Sequence, residues 1–184
     1  SPIVPSREFG QVVTRIGSVQ DSDAVDLAVA TAKPDVIFHL AAILSGMAET
    51  NSSLAWRVNV EGTRNVLEAA RTHGIPKVIF TSTVATYGAG LPEPITEDSP
   101  QWPSGLYGVS KVLGERLGVY YHQRFDIDFR CVRLSAMVAP TAPAGGAASA
   151  FVCELFSEAA RTGAYSLYVY PTSRVPIVWV EDVV

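Results

Sequence analysis

Tyr107-Gly108-Val109-Ser110-Lys111 sets a phenol and an ammonium four residues apart. On a helix that spacing brings the two side chains to one face. A free phenol titrates near ~10 and is a poor base at neutral pH. A neighbouring ammonium favours the phenolate and lowers that value, so such a tyrosine can take a proton from a substrate hydroxyl. The competing reading is a surface helix on which the two side chains merely sit close. The pair alone does not decide between them.

A second group of hydroxyls stands in Phe80-Thr81-Ser82-Thr83-Val84-Ala85-Thr86-Tyr87-Gly88. It closes an apolar run, and in open α/β sheets ligands bind at the carboxyl ends of strands. There Thr81, Ser82 and Thr83 can hold a substrate oxygen; the alternative is that they satisfy the backbone of a turn. A further strand end, Leu40-Ala41-Ala42, carries small side chains that let the backbone approach a planar or phosphorylated ligand. His39 reads as a satisfied core histidine. His39, His73 and His122 have no zinc spacing, so no metal site is expected. Cys131 and Cys153 lie far apart in apolar surroundings and read as reduced core thiols of a cytoplasmic protein.

The elements that must position these groups alternate between apolar runs and helical patterns, which reads as α/β with a parallel sheet. A short strand is expected over 11–16 and a helix over 21–33, capped by Asp21 or Ser22. Residues 35–40 read as a strand covered on both faces. A long helix spans 52–73, with Gly74 as its left-handed C-cap. A strand over 77–81, a loop over 88–103, a helix over 106–125 and a strand over 128–134 follow. Residues 139–148 read as a Pro/Gly/Ala loop suited to a lid or substrate segment. A helix over 149–163 and strands over 166–170 and 175–180 complete the chain.

With 184 residues, 48% hydrophobic and 17% charged, the chain has the composition of one folded domain with a sizeable core. A net charge of −4 gives no basic footprint for nucleic acid. Three lysines are too few for a membrane-surface patch, and no apolar run approaches the ~20 residues of a membrane span. Ser1-Pro2-Ile3-Val4-Pro5 is no secretory signal, and with no starting methionine the chain is expected to be cut or processed.

Four segments then stand in order: His39-Leu40-Ala41-Ala42, Asn59-Val60-Glu61-Gly62-Thr63, Thr81 to Gly88, and Tyr107-Gly108-Val109-Ser110-Lys111. Together they resemble the extended short-chain dehydrogenase/reductases, the epimerase/dehydratase group, over residues 21–184. The resemblance implies a Rossmann-like, doubly wound parallel sheet, with a cofactor domain over 1–138 and a substrate-binding part over 139–184 that returns to the sheet. It implies Tyr107 as general acid/base, Lys111 as the holder of the nicotinamide ribose, and Thr83 as the hydroxyl that orients the reacting oxygen. Leu40, Ala41, Ala42, Asn59, Thr81, Ser82 and Ala136 would line NAD together with Tyr107 and Lys111, with NADP left open. For Asn59 a helix-packing amide is the alternative. Ser45, Thr83, Tyr107 and Ser149 would face a small-molecule substrate. A homodimer through helices 52–73 and 106–125 is implied by analogy.

Within that group, Ala41-Ala42-Ile43-Leu44-Ser45, Tyr120-Tyr121-His122 and 175–182 resemble the short-chain threonine-dehydrogenase branch. Its Gly-rich run ends in two threonines, where this chain has Gly145-Gly146-Ala147-Ala148-Ser149-Ala150. The expected activity is therefore NAD-dependent oxidation of a secondary hydroxyl on a small hydroxy or amino acid. The alternatives are a nucleotide-sugar epimerase or dehydratase and a non-catalytic truncated fragment. Nucleotide-sugar enzymes of the group place an arginine where Val175 stands, and Arg174 is one residue off that register. The Gly-rich pyrophosphate turn is absent, and Ser18 replaces an aspartate near the adenine. Omission or truncation of an N-terminal β-α-β piece is expected, with a gap at the sheet's centre and weak dinucleotide binding.

Overall fold

Strands β1 (Val36–His39), β2 (Lys77–Thr83) and β3 (Asp128–Leu134) pair side by side, all parallel, in that order. The computed structural model describes residues 12–139 and 149–183. His39 stands opposite Phe80, and Thr83 opposite Leu134. The gap expected in the sheet falls between residues 11–16 and 35–40; residues 12–16 form no strand, so among the described residues β1 is paired with β2 alone and is an edge of the sheet.

Side chains of β2 alternate. Val78, Phe80 and Ser82 are buried under helices α4 (Gly62–Thr72) and α5 (Leu106–Phe125), while Ile79, Thr81 and Thr83 are half-buried on the other side. On that other side Phe38 of β1 remains 63% exposed and Val132 of β3 51%. Among the described residues, then, helices cover one face only, and the strand over 35–40 is not enclosed on both.

Helix α1 (Ser22–Ala32) starts where expected. The Asp21 side chain accepts from the N–H groups of Asp23 and Ala24, both at 3.1 Å. The segment over 52–73 is helical throughout, yet it is built from α3 (Ser52–Ala55), a π-helical stretch (Trp56–Glu61) and α4. Gly74 follows with φ +65°, the left-handed conformation that ends the helix. Val29, Leu67, Ala70, Ile75, Val78, Tyr121 and Ile127 form the main core between α1, α4, α5 and the sheet.

A smaller unit follows β3. Strands β4 (Ala136–Val138) and β5 (Ile177–Trp179) pair in parallel, and α6 (Phe151–Thr162) packs Phe151 and Val152 against Ala136. Residues 12–16 and 166–170 form no strand, because neither finds a partner to close a ladder. The loop over 139–148 lies outside the described residues beyond Ala139. Cys131 is exposed, not in the core, since β3 is the outer strand; Cys153 is buried and donates its thiol hydrogen to Met137 O.

Candidate active site

β2 ends at Thr83 and α5 begins at Leu106, so the strand's carboxyl end meets the first turn of the helix. The approach is close: a Cβ on Gly108 would lie 2.5 Å from Ala85 O. Thr83 Oγ1 accepts from Ala85 N at 3.2 Å, and its hydroxyl stands near enough to the Tyr107 phenol to favour the phenolate. One turn on, Lys111 Nζ donates to Thr81 O at 2.6 Å. It lies 4.5 Å from the Phe80 ring centroid and 5.8 Å from that of Tyr107.

Both titratable groups are shaped by burial. Lys111 is 2% exposed, and desolvation lowers its pKa to about 8, so it remains largely an ammonium at neutral pH. Burial raises Tyr107 above the ordinary phenol, and the hydrogen bond from Thr83 only partly opposes this. The expectation that Lys111 would pull Tyr107 down is corrected here. The ammonium is directed at the Thr81 carbonyl, and it is burial, opposed by Thr83, that shapes the phenol.

A chain of buried hydrogen bonds fixes this arrangement. Asn59, 3% exposed in the π-helical stretch, accepts from Ile43 N at 2.7 Å and donates to Ile43 O at 3.0 Å. Its amide also donates to Ser110 Oγ at 3.1 Å, and Ser110 donates to Tyr107 O at 2.7 Å. Asn59 therefore ties the segment after β1 to α5. Thr63 Oγ1 donates to Asn59 O at 2.6 Å, so its one hydrogen is engaged and His39 Nε2 must be the donor in their 2.9 Å contact. His39 is accordingly a neutral imidazole, its pKa held at about 4 by burial and by the Lys111 charge.

The remaining expected residues divide. Leu40 and Ala41 are exposed and Ala42 half-buried just past β1, leading into the Ile43 that Asn59 grips. Thr81 supplies the carbonyl that holds Lys111 and donates its own hydroxyl to His39 O at 3.3 Å. Ser45 is the first residue of a helix missed in the sequence, α2 (Ser45–Thr50). Ser82 points to the opposite face of β2 and donates to Glu115, because side chains alternate along a strand. Ala136 is buried in the smaller core. Ser149 sits in the turn before α6, and among the described residues no hydrogen bond joins it to Thr83 or Tyr107.

Three acidic and basic groups escaped the sequence reading. Glu49 of α2 accepts from Leu106 N at 2.7 Å, at the start of α5. Glu115, 3% exposed, pairs with Arg133. Glu115 stands four residues after Lys111 and eight after Tyr107, and that spacing was a visible signal. Among the described residues no cluster of ligands suits a metal, and no helix is long and apolar enough to cross a membrane.

The chain matches the NAD dependent epimerase/dehydratase family over residues 6–184. The mitochondrial L-threonine 3-dehydrogenase of Bos taurus is 36% identical over 147 residues, which are 79% of this chain and 39% of that protein. The crystal structure of L-threonine dehydrogenase from Phytophthora infestans superposes with a TM-score of 0.88 at 33% identity, covering 96% of this chain and 57% of the other. The UDP-glucose 4-epimerase of Thermus thermophilus, solved with NAD, gives 0.79 at 26% identity, covering 91% and 56%. The chain thus spans about half the length, or less, of the relatives it matches.

Proposed function

The chain belongs to the NAD dependent epimerase/dehydratase family, and from that premise we propose that it serves NAD-dependent oxidation of a secondary hydroxyl on a small hydroxy or amino acid. The observation that carries this reading is the meeting of Thr83, Tyr107 and Lys111 at the carboxyl end of β2.

Tyr107, in its phenolate form, takes the proton of the substrate hydroxyl and becomes a phenol, while Thr83 hydrogen-bonds the same oxygen; burial disfavours the phenolate, so this step quickens as pH rises. As that proton leaves, the carbon–hydrogen pair must leave as hydride; NAD, when bound, supplies the acceptor. Lys111 fits the cofactor's ribose: an ammonium has three donors, one is engaged on Thr81 O, and the others can reach a vicinal diol. The segment 40–42, secured through Ile43, would line the nicotinamide side. In this reading residues 1–138 serve the cofactor and 139–184 contribute to the substrate site, with Ser45 and Ser149 as its further hydroxyls. The two free thiols suit a cytoplasmic setting.

Threonine or a sugar acid is favoured over a nucleotide sugar by Arg174. It stands one residue from where nucleotide-sugar enzymes resembling this chain hold an arginine, and it pairs with Glu93 at 3.2 Å. The test is NADH absorbance when the intact protein is given NAD with L-threonine, with four-carbon sugar acids, or with UDP-glucose. NADH should accumulate with a small acid. Conversion of UDP-glucose with no net NADH would overturn the reading in favour of an epimerase.

A second copy of the chain is proposed to cover the apolar groove between the π-helical stretch and α5. Trp56, Trp102, Val109, Val112 and Leu113 line it, with Trp102 73% and Trp56 45% exposed. Trp56→Arg should sediment as a monomer where the parent sediments as a dimer; a monomeric parent would end the proposal.

A further inference from the structure

Glu115 takes no part in the chemistry proposed above, yet this single acid of α5 is heavily hydrogen-bonded. It accepts from donors on three other elements: Ser82 Oγ on β2, Arg133 Nε at 3.0 Å and Nη2 at 2.8 Å on β3, and Gln101 Nε2 at 2.9 Å in the loop before α5. Burial alone would raise its pKa, but the hydrogen bonds from Arg133, Ser82 and Gln101 hold it below the ordinary carboxylate. Arg133 Nη1 reaches further, to Tyr87 OH and Glu97 O, each at 2.8 Å, and the guanidinium lies 5.0 Å from the Tyr87 ring centroid.

The packing beneath α5 does not by itself fix the helix lengthwise. Gly114 and Gly118 present bare backbone to the Phe80 and Phe129 rings. Contact between apolar surfaces is non-directional, so it resists separation more than sliding. A bidentate, charge-assisted pair is directional, and registry is the best-attested use of a buried ion pair. Ser82 is the residue before Thr83 on β2, and Tyr107 lies eight residues, or about 12 Å, before Glu115 on α5. Both partners of the Thr83–Tyr107 contact are therefore tied, within a short stretch of rigid backbone, to one carboxylate.

We propose that the Glu115–Arg133 pair is a positioning device that sets how far α5 lies along β2 and so keeps the Tyr107 phenol in hydrogen-bonding reach of Thr83. Glu115, Arg133 and Ser82 are positioning residues. Their effect on turnover rests on the function proposed above; their effect on the Thr83–Tyr107 contact does not. A displacement of about 1 Å suffices to break such a bond and can cost about 10²-fold in rate.

The test compares Arg133→Lys and Glu115→Gln with the parent. Near-ultraviolet tyrosinate absorbance is titrated in each protein and in its Tyr107→Phe counterpart, so that the difference isolates Tyr107. The titratable groups beside Tyr107 are Lys111 on its own helix and, linked to Lys111, His39 on β1; β2 presents Thr83, and no substitution alters any of them. The Thr83 bond holds Tyr107 down, so losing it moves the Tyr107 midpoint upward. In turnover, kcat should fall by about 10²-fold with KM changed far less. A folded variant with an unchanged or lower midpoint would overturn the inference. If Glu115→Gln does not fold, Arg133→Lys, which keeps a cation opposite Glu115 but loses the two-point contact, decides. A parent that forms no NADH would defeat the dehydrogenase reading, while the titration still decides this one.

Discussion

The Glu49 carboxylate accepts the backbone N–H of Leu106 at 2.7 Å, so an acid from α2 caps the helix that carries Tyr107. The N-cap residue itself is Gly105, whose missing side chain provides no cap, and Glu49 takes over that role across 57 positions of sequence. A carboxylate there also meets the positive end of the helix dipole. Glu49→Ala should lower stability by about 1 kcal/mol, read as a drop in the denaturant midpoint with an unchanged slope. An unchanged midpoint would remove Glu49 from this role.

His39 predicts an acid-sensitive fold. Its pKa is about 4 against an ordinary 6.5, so on acidification the unfolded chain binds a proton that the folded chain refuses. Stability from this group is complete above 6.5 and is lost as pH falls from 6.5 towards 4, in all on the order of 3 kcal/mol. His39→Gln keeps an amide donor for Thr63 but does not titrate. Unfolding measured across that window should show a shallower pH slope in the variant; equal slopes would contradict the neutral, buried imidazole.

Gly118 predicts a substitution that helix propensity misjudges. Alanine is the better helix former, yet a Cβ at Gly118 would lie 2.1 Å from the Phe129 ring. Gly118→Ala should therefore destabilise by about 1–3 kcal/mol, as overpacked cores do. Thermal unfolding checks it, and a raised midpoint would mean that β3 yields easily.

These sites also mark where the sequence was readable. Helix α5 and strand β3 carry the bounds expected from periodicity alone, and Asp21 and Gly74 cap α1 and α4 as their types suggest. That Tyr107 and Lys111 share a helix face beside a strand end bearing hydroxyls was legible from one spacing and one strand end, while Thr83 was singled out among those hydroxyls by the family resemblance. Ser82 was misplaced because hydroxyls in a row look alike until strand alternation sends one to the opposite face. Glu49 and Arg133 act through partners 57 and 46 positions away, which no local pattern encodes; the spacing of Glu115 marked its helix face but not its partner Ser82, 33 positions away. Cys131 looked buried because its neighbours are apolar, and only the strand order reveals that β3 is outermost. The raised pKa of Tyr107 depends on burial, which spacing does not report.

In the reaction proposed for the chain, Tyr107 moves the proton while the groups around it position the reactants. The most direct test of that division is NADH formation by Tyr107→Phe in the intact protein, alongside calorimetric titration with NAD. Turnover should fall by roughly 10²–10⁴-fold with NAD affinity within a few-fold of the parent. Turnover retained at the parent's rate, with the ring present and the hydroxyl gone, would contradict it.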